Sequence, residues 1–322
     1  MCLSFPYPDS NKRYHTLNDY YRHKFHAKVF KVPLNAGFTC PNRDGSKGTG
    51  GCTYCSEQGS GDFAGNPAES LVTQFEKVRD LQLQKWPDAY YIPYFQAFTN
   101  TYAPVGVLRS CFEPVLALDK VVGLNIATRA DCLPDDVLEY LTELNSRTCL
   151  TVELGLQTIH DRTAQAINRC HSYAEFLDGL EKLKKHNIPV CVHLIDGLPG
   201  ETREMMLETA QAVGALRPHS VKLHLLHVLK GTPMAADYLA GKFDVLSLAE
   251  YVSIVCDQLE LLPPEIVIQR ITGDGARDSL IAPQWSLKKF VVMNEIDKEL
   301  KRRNSRQGEK QSDSFVTVKQ GR

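Results

Sequence analysis

Short apolar segments alternate with longer amphipathic stretches along most of the chain. The apolar segments are rich in Val, Ile and Tyr, which is typical of buried parallel strands. They predict strands at residues 29–34, 90–95, 121–127, 149–154, 190–195, 220–226 and 266–268. The amphipathic stretches predict helices at residues 70–84, 135–145, 173–186, 202–216 and 246–261. This alternation indicates βαβ units and a parallel sheet, either open or curled into a barrel.

Polar or glycine-containing turns follow several of the predicted strands. They lie at residues 35–37, 96–100, 128–129, 155–157 and 196–200. In parallel α/β folds the carboxyl ends of the strands carry the active site. We therefore expect the functional residues in these turns.

The composition is that of a folded enzyme-sized protein. The chain has 322 residues, of which 43% are hydrophobic and 23% charged, with a net charge of −1. The sequence holds no apolar run near the roughly 20 residues that cross a bilayer, and residues 1–14 are too polar for a signal peptide. We expect a cytoplasmic protein without a membrane partner, in which any nucleic-acid binding depends on a local basic patch.

Basic residues concentrate near both ends. The N-terminal stretch interleaves cations with aromatic residues: Lys12, Arg13, Tyr14, Tyr20, Tyr21, Arg22, Lys24, Phe25, Lys28 and Lys31. This composition suits RNA binding, and it also suits an amphipathic helix whose tyrosines pack on the core. Residues 298–322 hold eight Lys or Arg against three acids, which predicts a disordered basic tail. The predicted organisation is an extension over 1–28, a core over 29–297 and a tail over 298–322.

Three of the ten cysteines form a cluster with the spacing C-x11-C-x2-C: Cys40, Cys52 and Cys55. They follow the first predicted strand in a glycine-rich loop, whereas the others are scattered and are expected to be inert thiols. Three thiolates on such a loop suit an iron–sulfur cluster or zinc, and the spacing leaves both open, with His26 as a possible fourth zinc ligand. In a four-iron cluster, three cysteines leave one iron for an outside ligand.

The motifs around this loop resemble those of a known enzyme superfamily. They are GFTCPNRDG at 37–45, GGCTYC at 50–55, YFQAFTNT at 94–101, ELGLQT at 153–158, INR at 167–169, GLPGE at 197–201, KLH at 222–224 with Gly231, and PPEI at 263–266. In this order, over residues 12–295, the chain resembles radical S-adenosylmethionine (SAM) proteins of the Elongator-subunit-like group. It is most similar to a bacterial family that shares the C-x11-C-x2-C spacing.

The resemblance implies a fold, cofactors and an activity. The implied fold is a partial (β/α)6 TIM-like barrel. Cys40, Cys52 and Cys55 are implied to hold a [4Fe-4S] cluster that cleaves SAM to a 5′-deoxyadenosyl radical, with electrons from a reductant such as flavodoxin or ferredoxin. The first cysteine gap departs from the more usual C-x3-C-x2-C of the superfamily.

The resemblance also implies residues that contact SAM. The Gly-Gly-Glu motif that usually contacts the SAM amino group is absent, and Gln96, Thr99 and Asn100 occupy its place with oxygen acceptors. Glu153 and Gln157 match positions that face SAM. Arg169 matches an arginine that binds the SAM carboxylate. The turn from Gly197 to Gly200 matches one that lies against the adenine.

The substrate is a separate expectation. His224, His227, Lys230 and Arg270 lie near the ends of late strands and are candidate substrate contacts. The Elongator kinship implies tRNA, and the run at 56–65 resembles a branch linked to converting wobble 5-carboxymethylaminomethyluridine to 5-aminomethyluridine. The alternatives are a radical SAM enzyme for a small metabolite or peptide, and a non-catalytic zinc-type RNA-binding module.

Overall fold

The computed structural model of the protein describes residues 11–311 except Ser60, Asp62, Asp274 and Ala276. Its strands are β1 (Val29–Leu34), β2 (Tyr90–Phe95), β3 (Gly123–Thr128), β4 (Cys149–Gln157), β5 (Val190–Asp196), β6 (Ser220–Leu225), β7 (Val228–Leu229), β8 (Val267–Arg270) and β9 (Leu280–Ala282). Seven of them form a parallel sheet in the order β1-β2-β3-β4-β5-β6-β8, and β7 pairs antiparallel with β9. The sheet curls into a half-barrel, which confirms the predicted α/β partial barrel, with β8 as a seventh strand.

Helices connect the strands and cover the outside of the sheet. They are α1 (Leu17–Phe25), α2 (Leu71–Leu83), α3 (Val105–Leu116), α4 (Asp135–Arg147), α5 (Asp161–Ala166), α6 (Tyr173–Lys185), α7 (Arg203–Leu216), α8 (Pro233–Leu239), α9 (Leu248–Leu261) and α10 (Lys289–Arg302). Serine side chains cap several of the starts. In α6 and α9, Ser172 with Glu175 and Ser247 with Glu250 form full capping boxes, each cap contributing about 1 kcal/mol. In the described part of the chain, every helix is too short or too polar to span a membrane.

The hydrophobic core lies between the strands and the inner faces of the helices. On the helix-facing side of neighbouring strands, residues such as Ile126, Val152 and Val192 are fully buried. Helix side chains such as Leu141 and Phe176 pack onto them. This continuous core holds the strand ends, and therefore the turns after them, in fixed positions.

The N-terminal segment covers the open side of the half-barrel. β1 and β8 are the edge strands of the seven-stranded sheet, and α1 packs against both. The backbone N–H of Ile268 in β8 donates to the carbonyl of His15, 2.7 Å away. The described aromatic residues of this segment face inward: Tyr14 and Tyr21 are buried, and the Tyr20 ring lies 5.0 Å from that of His219. The packing interpretation of these tyrosines is therefore supported over base stacking.

The structure differs from the predicted disorder at residues 298–311. α10 continues to Arg302, and the following residues pack back onto α9 and the N-terminal segment. The reason is charge pairing that the linear sequence does not reveal. Arg303 Nη1 lies 2.7 Å from the Asp257 carboxylate, and Lys310 pairs with Glu260. Residues 312–322 of the predicted tail, and residues 1–10 of the predicted extension, lie outside the described residues.

Candidate active site

A cavity of about 680 Å³ occupies the interior of the half-barrel and opens at the carboxyl ends of the strands. Its wall includes residues from the turns after β1, β2 and β3, and Gln157 at the end of β4. Cys40, Cys52 and Cys55 all line this one cavity, and each is a partly buried free thiol. The structure thus brings the predicted metal ligands together.

Two tight turns and two asparagines shape the cysteine loop. The carbonyl of Cys40 accepts from the N–H of Arg43 (2.8 Å), and that of Cys52 accepts from the N–H of Cys55 (3.0 Å). Asn42 is fully buried, and its amide reaches the Cys52 sulfur at 3.6 Å. The Asn168 amide donates to the carbonyl of Gly51 at 2.8 Å. These bonds tie the long first gap of the motif into a fixed path.

The glycine pair before Cys52 is required by the backbone. Gly50 and Gly51 both have positive φ, at 78° and 79°. At Gly51, a Cβ atom would also lie 2.7 Å from the Nε of Arg43. Glycine alone meets both conditions. The conformation brings Arg43 across the loop, where its guanidinium lies 5.3 Å from the centre of the Phe98 ring.

The thiols suit a bound metal cluster better than a set of free thiolates. Burial raises the pKa of Cys52 to about 12, with Cys55 and Cys40 adding to the rise and Arg129 opposing it. A thiol of this kind needs a strongly cationic partner before it ionises. Iron supplies that charge, so the donor set fits an iron–sulfur cluster.

Gln96 and Thr99 line the cavity, but Asn100 does not. Asn100 is fully buried behind them, and its amide donates to the carbonyls of Phe95 (3.1 Å), Ala97 (3.0 Å) and Ala127 (2.8 Å). Asn100 therefore holds the turn that presents Gln96 and Thr99. The expectation that it contacts SAM directly is not supported.

Gln157 is directed into the cavity by an irregular strand end. The register between β4 and β5 shifts at Gly155 and Gln157, and Gln157 has a φ of 63°. A left-handed conformation at a non-glycine residue is costly and is common at functional sites. The Gln157 Oε1 atom is buried without a hydrogen-bond partner among the described residues. An acceptor in this state suits the ammonium of a bound ligand.

Arg169 lines the cavity and is only 1% exposed. Its Nε donates to the carbonyl of His171 at 2.9 Å, and its Nη1 to that of Thr158 at 2.6 Å. Nη2 makes no hydrogen bond within the described chain and lies 3.6 Å from the Asp161 carboxylate. One side of the guanidinium is thus fixed by carbonyls while Nη2 remains for an anion, which fits a SAM carboxylate.

Three other predicted site residues lie outside the cavity wall. Gly197 and Gly200 have positive φ and form a turn beside it. Lys230 is exposed, and its Nζ donates to the carbonyl of Asp278 at 2.7 Å. By contrast His224, His227 and Arg270 all line the cavity.

Glu153 is the centre of a buried charge cluster at the cavity floor. Its Oε1 accepts from Lys31 Nζ (2.8 Å) and Asn125 Nδ2 (2.7 Å). Its Oε2 lies 2.7 Å from His193 Nε2 and also binds Lys222 Nζ. Both carboxylate oxygens are therefore occupied, so Glu153 organises the floor rather than offering a free group to SAM.

Electrostatics fix the ionisation of this cluster, which we call the Glu153 floor (Lys31, Glu153, His193 and Lys222). Burial alone would raise the pKa of Glu153, but Lys222 and Lys31 hold it well below its usual range. Burial lowers the pKa of Lys222 to about 8, and Glu153 opposes that shift. Burial also lowers the pKa of His193 to about 4, so at neutral pH His193 is uncharged.

A zinc site built on the cysteines finds no support in the described part of the chain. His26 ends α1 at the surface and does not line the cavity. Among the described residues, the group of three potential metal ligands whose ligand atoms lie within 4.8 Å of one another is Glu153, Cys191 and His193. Lys31 and Lys222 already occupy the carboxylate of that trio, and their charge opposes a cation there.

Comparison with known proteins decides the class. A sequence model of the Radical SAM superfamily matches residues 40–213, and one of the Radical_SAM C-terminal domain matches residues 218–302. The chain belongs to the radical SAM superfamily. This radical SAM enzyme is 58% identical over 304 residues to the Bacillus subtilis protein YtqA, covering 94% of both chains.

The similarity to Elongator proteins is partial. Human Elongator complex protein 3 is 26% identical over 162 residues, which is 49% of this chain and 29% of that protein. The structure of an N-terminally truncated Elp3 from the archaeon Methanocaldococcus infernus superimposes with a TM-score of 0.64 at 18% identity. It covers 87% of this chain and 64% of that one, so the chain spans just under two thirds of the archaeal structure. This likeness shows the shared fold.

Membership confirms the predicted enzyme class and its cofactors, a [4Fe-4S] cluster and SAM. It also shows that the alternative of a non-catalytic zinc module is wrong. When bound, the cluster and SAM supply a reducing electron and a carbon radical that takes a hydrogen atom from the substrate. Within this chain, the residues that would hold SAM are Gln157 and Arg169, each of which lines the cavity and has a buried polar atom without a hydrogen-bond partner among the described residues.

Several site residues escaped the sequence analysis. Tyr94, His193 and Lys222 face the cavity interior, and Lys31, which the sequence analysis counted in the N-terminal basic stretch, binds Glu153. The available signal was the presence of charged residues within apolar strand segments, such as Lys222 and His224 at alternate positions of β6. Alternate residues of a strand share a face.

Proposed function

We propose that this radical SAM enzyme acts on tRNA and converts wobble 5-carboxymethylaminomethyluridine to 5-aminomethyluridine. The observation that carries the proposal is the charge of the cavity. Six described lining side chains are Lys or Arg: Lys31, Arg43, Arg129, Arg169, Lys222 and Arg270. Glu153 is the one carboxylate among the described lining residues. A wall of this composition favours an anionic substrate.

Two features support a nucleic acid rather than any other anion. Phe63 lines the cavity and is 50% exposed, so its ring is available for stacking on an unpaired base. Arg22 and Lys24 are exposed on α1, the helix whose first residue, Leu17, also lines the cavity. The partial similarity to Elongator complex protein 3 points the same way.

A deletion strain tests the function in the cell. We expect mass spectrometry of its tRNA to show accumulated 5-carboxymethylaminomethyluridine and a loss of 5-aminomethyluridine at the wobble position. The wild-type gene restores the product, and a Cys55→Ala gene does not. Unaltered wobble uridines together with absent tRNA binding would favour the alternative of a small metabolite or peptide as substrate.

A salt titration tests tRNA binding by the N-terminal helix. We expect the double charge reversal Arg22→Glu with Lys24→Glu to weaken tRNA binding. The negative slope of log affinity against log salt should also become shallower by about two, because binding with fewer phosphate contacts releases fewer counterions. Lys28, which follows α1, is not mutated because its Nζ already donates a hydrogen bond to Asn18 Oδ1 at 2.8 Å.

The matched control reverses two lysines of α6, the partly buried Lys182 and the exposed Lys185, which pair with Asp178 and Glu181 on the same helix. We expect this variant to retain the wild-type slope. Equal slopes for both double variants would show that α1 does not bind the tRNA.

A further inference from the structure

We propose that Arg43 is a positioning residue for the iron–sulfur cluster, with two roles. Its guanidinium closes the cysteine loop around the third cysteine, and its charge favours the reduced state of the cluster. Arg43 lies in the long first gap of the C-x11-C-x2-C motif and lines the same cavity as Cys40, Cys52 and Cys55. Neither role depends on tRNA as the substrate.

The Arg43 guanidinium closes the loop by binding the backbone that follows the third cysteine. Its Nη1 donates to the carbonyl of Glu57 at 3.2 Å, and its Nη2 donates to the carbonyl of Ser56 and, at 3.5 Å, to that of Cys55. One side chain therefore caps three consecutive carbonyls. The rigid planar fork of arginine suits this task, whereas a lysine ammonium is a single point of charge on a flexible stem.

Two packing contacts hold the Arg43 side chain in this position. Its guanidinium lies 5.3 Å from the centre of the ring of Phe98, in the turn after β2. Phe98 has a φ of 62°, a conformation that is costly for a bulky residue and common at functional sites. Its N–H donates to the carbonyl of Gly59 at 2.9 Å, which joins this turn to the segment after the third cysteine. Arg43 also packs against Gly51, where a Cβ atom would lie 3.2 Å from the Arg43 Cγ.

The charge of Arg43 acts on the cluster as well. The described hydrogen-bond partners of its guanidinium are backbone carbonyls, which carry no net charge. The cluster is held by thiolates, and its reduction adds one negative charge. A guanidinium stays protonated, and a fixed cation in the partly buried wall stabilises the more negative state. Removal of this cation should therefore make the cluster harder to reduce.

Two variants of Arg43 separate its charge from its fork. The samples are full-length, anaerobically reconstituted proteins without SAM, measured by a redox titration that is monitored by electron paramagnetic resonance. In Arg43→Gln the equilibrium constant for cluster reduction should fall about tenfold, which lowers the potential of a one-electron couple by about 59 mV. Arg43→Lys keeps the charge and should retain a potential close to that of the wild type.

The rate of iron release tests the fork. Bathophenanthroline disulfonate, an iron chelator, is added to the oxidised proteins, and the coloured iron complex is followed with time. Both Arg43 variants should lose iron about tenfold faster than the wild type, because neither side chain can hold all three carbonyls. Since neither measurement uses tRNA or any other substrate, the outcome is independent of the proposed function.

Arg109→Gln is the matched control. The Arg109 guanidinium also lies over an aromatic ring, 4.1 Å from the centre of that of Tyr140, and it pairs with Glu143, but it does not line the cavity. Its potential and its iron release should equal those of the wild type. The proposal is overturned by a wild-type potential in Arg43→Gln, by wild-type iron release in both Arg43 variants, or by equal effects of Arg109→Gln. A potential in Arg43→Lys as low as that in Arg43→Gln would also overturn it, because the charge would then have no role of its own.

Discussion

Replacing Glu153 by Gln should destabilise the protein strongly while changing almost nothing in its shape. The substitution leaves the buried Lys222 and the partly buried Lys31 without a counter-charge, and loss of one partner from a buried ion pair costs about 3–5 kcal/mol. For 322 residues the entropy of unfolding is roughly 0.7 kcal/mol/K at about 2.1 cal/mol/K per residue. The expected fall in Tm is therefore about 4–7 °C.

The assay is anaerobic thermal unfolding of the reconstituted enzyme, followed by circular dichroism. Glu143→Gln is the matched control, because Glu143 also pairs with two basic residues, Arg109 and Arg147, but on the surface. Exposed pairs of this kind contribute little, so its Tm should stay at the wild-type value. Equal Tm values for the two variants would refute the assignment of Glu153 as the counter-charge of the floor.

The pH dependence of this effect has a definite sign. The pKa of Glu153 in the folded protein is held far below its ordinary 4.5. Its stabilisation is therefore fully present above that value and is lost as the pH falls below it, because the unfolded carboxyl then takes up a proton. The Tm difference between the wild type and Glu153→Gln should narrow as the pH falls below 4.5. A difference that widens in acid would contradict this linkage.

The remaining predictions concern the cofactors. Anaerobically prepared protein should hold about four irons per chain, and Cys55→Ala should lose them; bound zinc without iron absorbance would contradict the cluster. Arg169→Ala should weaken SAM binding about tenfold or more, because it removes an interaction worth roughly 1.5–3 kcal/mol, while the iron content stays constant. Unchanged SAM affinity would show that Arg169 only binds backbone carbonyls and does not contact SAM.

Most of the fold was predictable because its signals are local. The bounds of β1 and β2 agree with the apolar segments, since both strands are bordered by polar turns. α3 was not predicted because Pro114 lies within it, and tertiary packing of Leu108 and Phe112 outweighs that local signal. The order of residues 303–311 depends on pairs with α9, which lies more than 40 residues earlier, so composition alone predicted disorder.

The candidate site was likewise predictable only where its signals are local in the sequence. Cys40, Cys52 and Cys55 follow a strand in one short motif, and motif and spacing were sufficient to predict that they meet. The Glu153 floor combines side chains from β1, β4, β5 and β6, and its pairing depends on strand register and curvature. Sequence periodicity gives the inward face of each strand but not which inward residues meet. Asn100 shows the opposite error: its position in a strand-end turn predicted a site residue, but its side chain faces away from the cavity.

The most direct test of the central claim measures two products in one anaerobic reaction. Reconstituted enzyme, SAM and a reductant are incubated with tRNA from the deletion strain, and 5′-deoxyadenosine and 5-aminomethyluridine are quantified together. We predict that both rise with time and that both are absent with Cys55→Ala. Formation of 5′-deoxyadenosine without any change in the tRNA would contradict the tRNA function, and the absence of both products with iron-loaded wild-type enzyme would contradict the account as a whole.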